Sequence, residues 1–460
     1  MAVKATYAPG ERNERLGSRS NADLRQVLTH ERHKQNLGVV RALVARLHKL
    51  RMPADYYEFH RELVADIYSA DEWRAQCSEI ERVLRGGAES DPSWQAVDWR
   101  LERIVADRIC RQLRSVGDGL AWKVLAYERH LIVALGHNRS DQNLFGKVGF
   151  GCELRVLQDT WEKNGHFAIL HDATNCLTVG DLTICSEMHA PWVNANSHTS
   201  NPERWVIAEV KSIRGVCKTR FRGRQLKRAQ MAINAVVNNT PLVGDDGVPR
   251  SFFRSTKQFK THLRQVATTL EDAWRTGHAV GQLRSHWVVS ARAPVQAWDS
   301  GTPWSTYAAK DDKALLKAGL NTVRDRFLLT SADALRLAPG RAPFSIYPFR
   351  PAICAALICD YLAFVSMLGI NALTDALLAA GFTGVQEIRP IDLSQHDRAV
   401  VRGIIKTKAM SINNGALAQI VFEAVDLKRE AEAMLEYSLL PDTTPAIGVL
   451  TLKNERATWR

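Results

Sequence analysis

Three charged residues stand where apolar strands are expected. Asp181 lies in LTVGDLTIC (177–185), and Glu209 and Lys211 lie in RWVIAEVKS (204–212). Side chains alternate along a strand, so Glu209 and Lys211 share a face. An adjacent strand can present Asp181 opposite them. Charges inside apolar strands cost free energy unless they are paired or bind a metal. Two carboxylates offer the hard oxygens that Mg²⁺ or Mn²⁺ prefers. Such an ion lowers the pKa of bound water and neutralises charge developing on a phosphate. A lysine beside it can orient that water or stabilise the transition state. For Glu209 and Lys211 alone, an ion pair fastening two strands is the plainer reading.

The flanking elements add order to these residues. GFG precedes CELRVLQDTWEKN (152–164), a helix with Glu153 in its first turn, and Gly165 ends it. Strand patterns follow at HFAILHD (166–172), 177–185 and 204–212, then helical periodicity at GRQLKRAQMAINAVV (223–237) and a strand at SHWVVSA (285–291). This succession, with Gly180-Asp181 and Glu209-Val210-Lys211, resembles the PD-(D/E)XK nuclease superfamily over residues 146–238. That superfamily includes restriction endonucleases, Holliday-junction resolvases and RecB-type nuclease domains. The resemblance implies an α/β (α+β) fold with a restriction endonuclease-like α-β-β-β-α-β core. By position, Asp181 matches the metal-binding aspartate, Glu209 the second carboxylate and Lys211 the lysine. Glu153 looks like the first-helix glutamate that some branches use as a further metal ligand. Gln225 is similar to the glutamine of the RecB-like Q-L-x-x helix. Gly180 stands where the superfamily's name has proline. The 27 residues between Asp181 and Glu209 make a long hairpin insertion.

Lys211, Arg214, Lys218, Arg220, Arg222, Arg224, Lys227 and Arg228 fall within 18 positions, and no acid occurs from Val210 to Gly244. Beside a candidate metal site, such a run suits a phosphate backbone. Taken alone it reads as a solvated positive face. Glu128, in LAYERHLIV, is a rival helix carboxylate whose plain reading is a solvated helix face. His171-Asp172, Cys185, His189 and His198 match no zinc spacing and read as surface or loop histidines. The chain shows neither a P-loop nor a G-x-S-x-G elbow.

The 460 residues carry 61 Lys and Arg against 49 Asp and Glu, a net charge of +12 that favours an anionic partner. Residues 1–22 read as a loose tail, 23–138 as a helical N-terminal domain, 139–291 as the nuclease-like domain and 292–460 as a C-terminal α+β region. In the last, 342–349 and 446–454 pattern as strands and 351–380, 395–410 and 415–437 as helices. Asp360, Asn371 and Asp375 interrupt the apolar stretch 351–382, which therefore reads as buried helices rather than a membrane span. No C-x-x-C pair occurs among the eight cysteines, which read as thiols of a reducing cytosol. The expectation is a cytoplasmic, Mg²⁺- or Mn²⁺-dependent endonuclease acting on DNA ahead of RNA. A homodimer or a partner protein fits it, as does a restriction or anti-phage role. The alternative is a non-catalytic nucleic-acid-binding or interaction protein on the same fold.

Overall fold

The computed structural model describes residues 24–86, 97–136, 144–185, 205–213, 216–220, 242–243, 249–301, 304–320, 326–330, 341–387, 399–405, 408–439 and 446–453, with single positions between 227 and 240. It mixes helices with small sheets, as the α+β reading requires.

The N-terminal part is helical: α1 (Glu31–Lys49), α2 (Pro53–Arg85), α3 (Trp99–Val124) and α4 (Arg129–Leu135). Pro53 opens α2 at its first turn, where a missing N–H costs nothing. Every residue of α3 from Gln112 to Val124 is buried, so this helix runs through the interior rather than over it. Two glycines, Gly117 and Gly119, lie within it, and α3 continues through both. A Cβ on Gly117 would meet the Ala173 carbonyl oxygen at 1.8 Å, and one on Gly119 would meet Ser345 Oγ at 2.4 Å. Close packing, not helix termination, explains both.

The helix α5 (Phe150–Asn164) leads into an antiparallel sheet of order β1-β2-β3-β4: β1 (Phe167–Leu170), β2 (Leu182–Cys185), β3 (Trp205–Ile213) and β4 (Val216–Arg220). Further on come β5 (Leu242–Val243), β6 (Pro249–Gln258), α6 (Leu263–Thr276), β7 (His278–Arg284), β8 (Trp287–Arg292), α7 (Pro294–Asp299), α8 (Trp304–Lys317) and β9 (Arg326–Thr330). The chain ends with α9 (Pro351–Ile358), β10 (Ala363–Gly369), α10 (Ile370–Ala379), β11 (Thr383–Glu387), β12 (Ala399–Ile405), β13 (Lys408–Asn413), α11 (Asn414–Phe422), α12 (Leu427–Ser438) and β14 (Ala446–Lys453). Three more sheets form, ordered β7-β8-β10-β9, β11-β12-β13 and β14-β6-β5, with β14 and β6 parallel.

Three C-terminal expectations are corrected. The stretch 351–380 is not continuously helical, because β10 separates α9 from α10. As a central strand between β8 and β9, β10 reads as one apolar run, which periodicity cannot tell from a buried helix. Ala399–Ile405 and Lys408–Asn413 pair as β12 and β13, where a helix is expected over 395–410; residues 395–398 and 406–407 lie outside the described residues. Phe344–Ile346, expected within a strand, is a buried 3-10 turn. One apolar core runs across both expected domain borders, from Leu43 and Val116 through Ile169 and Leu182 to Phe364 and Phe422.

His60 ties α2 to this core. Its Nε2 accepts the Leu170 N–H at 3.2 Å, and its ring meets Phe167 edge-on. Full burial pushes its pKa down to about 3. Unfolded, His60 takes a proton near pH 6.5; folded, it stays neutral until about pH 3. The stability from this group is therefore complete above pH 6.5 and is lost as pH falls towards 3. His60→Gln keeps an acceptor for Leu170 but cannot titrate. The stability advantage of wild type over His60→Gln is expected to shrink by about 3 kcal/mol between pH 7 and pH 4. Urea titrations at each pH measure it; a pH-independent difference contradicts the assignment.

Candidate active site

Glu153 occupies a core position of α5. Phe150, Glu153, Leu157 and Thr160 recur on one face of that helix and are the residues it buries. Gly149 at the helix start has φ +140° and Gly165 at its end has φ +65°, conformations that glycine adopts without strain. Glu153 is only 2% exposed. Burial raises its pKa; Lys147 opposes that rise, and Asp181 and Asp172 add to it. Its position in the first turn of the helix partly offsets the cost of the charge.

Lys147 lies on the loop just before α5. Its Nζ stands 2.7 Å from Glu153 Oε1, 2.6 Å from Asp172 Oδ2 and 3.9 Å from Asp181 Oδ1. Burial alone would lower the Lys147 pKa, but Asp172 and Glu153 hold it above its ordinary value. Three carboxylates from three separate elements thus converge on one ammonium. Glu153 Oε2 is buried without a hydrogen-bond partner.

Asp181 is held by the sheet. Its N–H donates to the Ala208 carbonyl at 2.9 Å, and its Oδ2 accepts the Val210 N–H at 2.6 Å. The β2–β3 register pairs Leu182 with Ala208, so continuing it one step sets Asp181 opposite Glu209. Glu209 is half-buried and stands opposite position 220 in the β3–β4 register.

His171 clamps the turn that carries Asp181. Its N–H donates to the Asp181 carbonyl at 3.0 Å. Its Nδ1 lies 3.1 Å from the Gly180 carbonyl, which only accepts, so Nδ1 carries the proton. Nε2 then accepts from the Thr183 hydroxyl at 2.7 Å. Burial pushes its pKa down to about 4, so the ring is neutral at pH 7. The expectation of a surface or loop histidine is corrected: both ring nitrogens are used inside the protein, and neither is free for zinc.

The helical layer fixes the other carboxylate. Arg114 Nε donates to the Asp172 carbonyl at 2.9 Å, and its guanidinium pairs with Asp71 at 2.6 Å. Asp71 also accepts the Leu144 N–H at 2.9 Å, at the start of the Lys147 loop. Asp118 accepts the Asn175 and Cys176 N–H groups at 2.6 and 2.8 Å, which pins the chain just after Asp172.

Cys152, next to Glu153, is disulfide-bonded to Cys217 of β4, with Cα atoms 5.2 Å apart. The reading of all eight cysteines as thiols is corrected for this pair. The other six are free and buried. The bond fastens α5 to the strand beside β3.

Among the expected site residues, Glu153 and Asp181 meet at Lys147, and Glu209 joins Asp181 by register. Lys211 lies opposite Lys218 in the β3–β4 register, and Arg220 opposite Glu209; the side chains of Lys211, Lys218 and Arg220 lie outside the described residues. Arg222, Arg224, Gln225 and Arg228, with His189 and His198, also lie outside them. Lys227 is exposed. Glu128 precedes α4 and is buried, not on a solvated face. Lys147, Asp172 and His171 were missed as site residues. Lys147 lies on a glycine-containing connection with no periodicity, and Asp172 and His171 enter the sequence pattern only beside the zinc-like residues. Among the described residues no group of three or more His, Cys, Asp or Glu is gathered as a metal-binding set. No described helix is long and apolar enough to cross a membrane. No protein-family model, curated protein or solved structure matches the chain.

Proposed function

We propose that this protein is a Mg²⁺- or Mn²⁺-dependent nuclease of the PD-(D/E)XK type that hydrolyses phosphodiester bonds, in DNA ahead of RNA. The observation that supports it most is the convergence of Asp181 and the buried Glu153, with Glu209 facing Asp181 across the β2–β3 register. The donor set is hard oxygen, which suits these ions. The unpartnered Glu153 Oε2 leaves a buried acceptor that a cation would satisfy. Asp181, Glu153 and Glu209 would hold the ion, which would supply an acidified water and neutralise charge on the phosphate. Asp181 is fixed by two backbone contacts to β3, and His171 fixes the turn beneath it. Lys211, two residues beyond Glu209, would orient the attacking water. The basic run from Lys218 to Arg228 would hold the nucleic-acid backbone, giving affinity rather than sequence choice.

The Lys147 ammonium among the carboxylates favours a second reading, a nucleic-acid-binding protein whose acidic residues are only ion-paired. Cleavage of supercoiled plasmid, linear duplex, single-stranded DNA and RNA, in Mg²⁺, Mn²⁺ or EDTA, separates the two. Metal-dependent cutting, lost in a folded Lys211→Ala protein, is the expected result. Binding without cutting on every substrate establishes the second reading. Full activity in Lys211→Ala removes the lysine from the mechanism.

A further inference from the structure

We propose that Lys147 is a tethered stand-in for a divalent cation: its ammonium and a metal ion compete for Glu153, Asp172 and Asp181, and the ion binds as Lys147 withdraws. The inference rests on the nuclease reading for its biological meaning, but the competition itself does not require cleavage. It adds Asp172 to the cation site and makes the loop before α5 its gate.

The charges carry the first part of the argument. Three carboxylates against one ammonium leave a formal charge of −2 at the cluster, counted over the described residues. A divalent ion in place of the ammonium would leave −1, so it offsets more of the carboxylate charge than Lys147 does. The buried Glu153 Oε2 has no hydrogen-bond partner while Lys147 occupies the site. Lys147 meets only Oε1 of that carboxylate, and a hard cation can take both oxygens. Buried acceptors are nearly always satisfied, so an orphan oxygen on a carboxylate whose other oxygen meets Lys147 points to a missing cation.

The loop supplies the second part. Lys147 stands between Gly146, with φ +78°, and Gly149, with φ +140°. A Cβ at either glycine would meet nothing within 4 Å, so no packing demands a glycine there; the backbone conformation does. Val148, between them, is 93% exposed and anchors nothing. The Lys147 side chain itself is 31% exposed, which leaves it a route to solvent. By contrast, the three carboxylates are carried by α5, by the turn pinned through Arg114 and Asp118, and by the residue that leads into β2. The acceptors are fixed and the cation is the movable part.

The test is Mn²⁺ binding to the full chain, followed by electron paramagnetic resonance at pH 8. Lys147→Met is expected to bind Mn²⁺ at least about tenfold more tightly than wild type, a difference of about 1.4 kcal/mol. Adding Glu153→Gln to that protein is expected to abolish the gain. Affinity in Lys147→Met equal to or weaker than wild type overturns the proposal, as does a gain that survives Glu153→Gln. A measurement on wild type guards against misfolded variants. Mg²⁺ is expected to speed amine-reactive labelling of Lys147, read by mass spectrometry, and an unchanged rate overturns the proposal. Cleavage is scored on the same proteins. Tighter Mn²⁺ binding with no cutting supports the competition and sinks the nuclease reading. Cutting by wild type with no effect of Lys147→Met on Mn²⁺ affinity does the reverse.

Discussion

Asp181→Asn is expected to fold like wild type and to lose metal-dependent cleavage by about 10²- to 10³-fold, the usual scale for removing one preorganised electrostatic group. The substitution separates charge from position. The Asp181 carboxylate accepts the Val210 N–H at 2.6 Å, and an asparagine carbonyl can accept the same bond. The Asp181 backbone contacts to Ala208 and His171 involve no side chain and persist. What disappears is one negative charge facing Glu209 and Lys147. Asp181→Ala is the poorer probe, because it also leaves the Val210 N–H without its acceptor, at a cost of about 1–3 kcal/mol. Unchanged circular dichroism and urea midpoint, with cutting lost in both Mg²⁺ and Mn²⁺, is the expected combination. Cutting at the wild-type rate by folded Asp181→Asn would remove this carboxylate from the chemistry, and with it the proposed metal site.

The part of this site that the sequence revealed is the part that regular structure places. Asp181 and Glu209 sit in apolar strand patterns, and antiparallel pairing of β2 and β3 brings them opposite without further information. Glu153 follows the 3.6-residue period of α5 into the core. Lys147 and Asp172 obey no such period. Both lie on connections, and their meeting depends on the close approach of α3 to the His171–Ala173 turn, which only a glycine at position 117 allows. That contact joins residues more than 50 positions apart, and no local pattern announces it. The disulfide escaped notice for the same reason: Cys152 and Cys217 are 65 residues apart and match no spacing motif. Over 351–380, composition identified a buried segment but not its conformation, since α9, β10 and α10 are all apolar.

A second large effect is expected far from the site, at the junction of the helical layer with the C-terminal part. The Arg129 guanidinium, at the first residue of α4, meets the Glu423 carboxylate with both forks, at 2.9 and 2.7 Å. The two side chains are 1% and 0% exposed. Glu423 also accepts the Ala342 N–H at 2.9 Å, and Arg129 lies 5.1 Å from the Trp122 ring centroid. Glu423→Ala removes the carboxylate while the guanidinium stays buried, so a loss of about 3–5 kcal/mol of stability is expected. The unpaired Ala342 N–H places it towards the upper end. Glu423→Gln keeps an acceptor for Ala342 and is expected to lose less. Replacing both partners with methionine removes the uncompensated charge, and is expected to recover most of the loss. Urea denaturation followed by tryptophan fluorescence and circular dichroism measures all three. A double variant as unstable as Glu423→Ala would mean that the unsatisfied Ala342 N–H, which both variants share, and not the stranded charge sets the cost. Recovery in the double variant would show that this pair contributes little net stability when intact and much instability when broken. The junction would then tolerate replacement of both partners far better than loss of one.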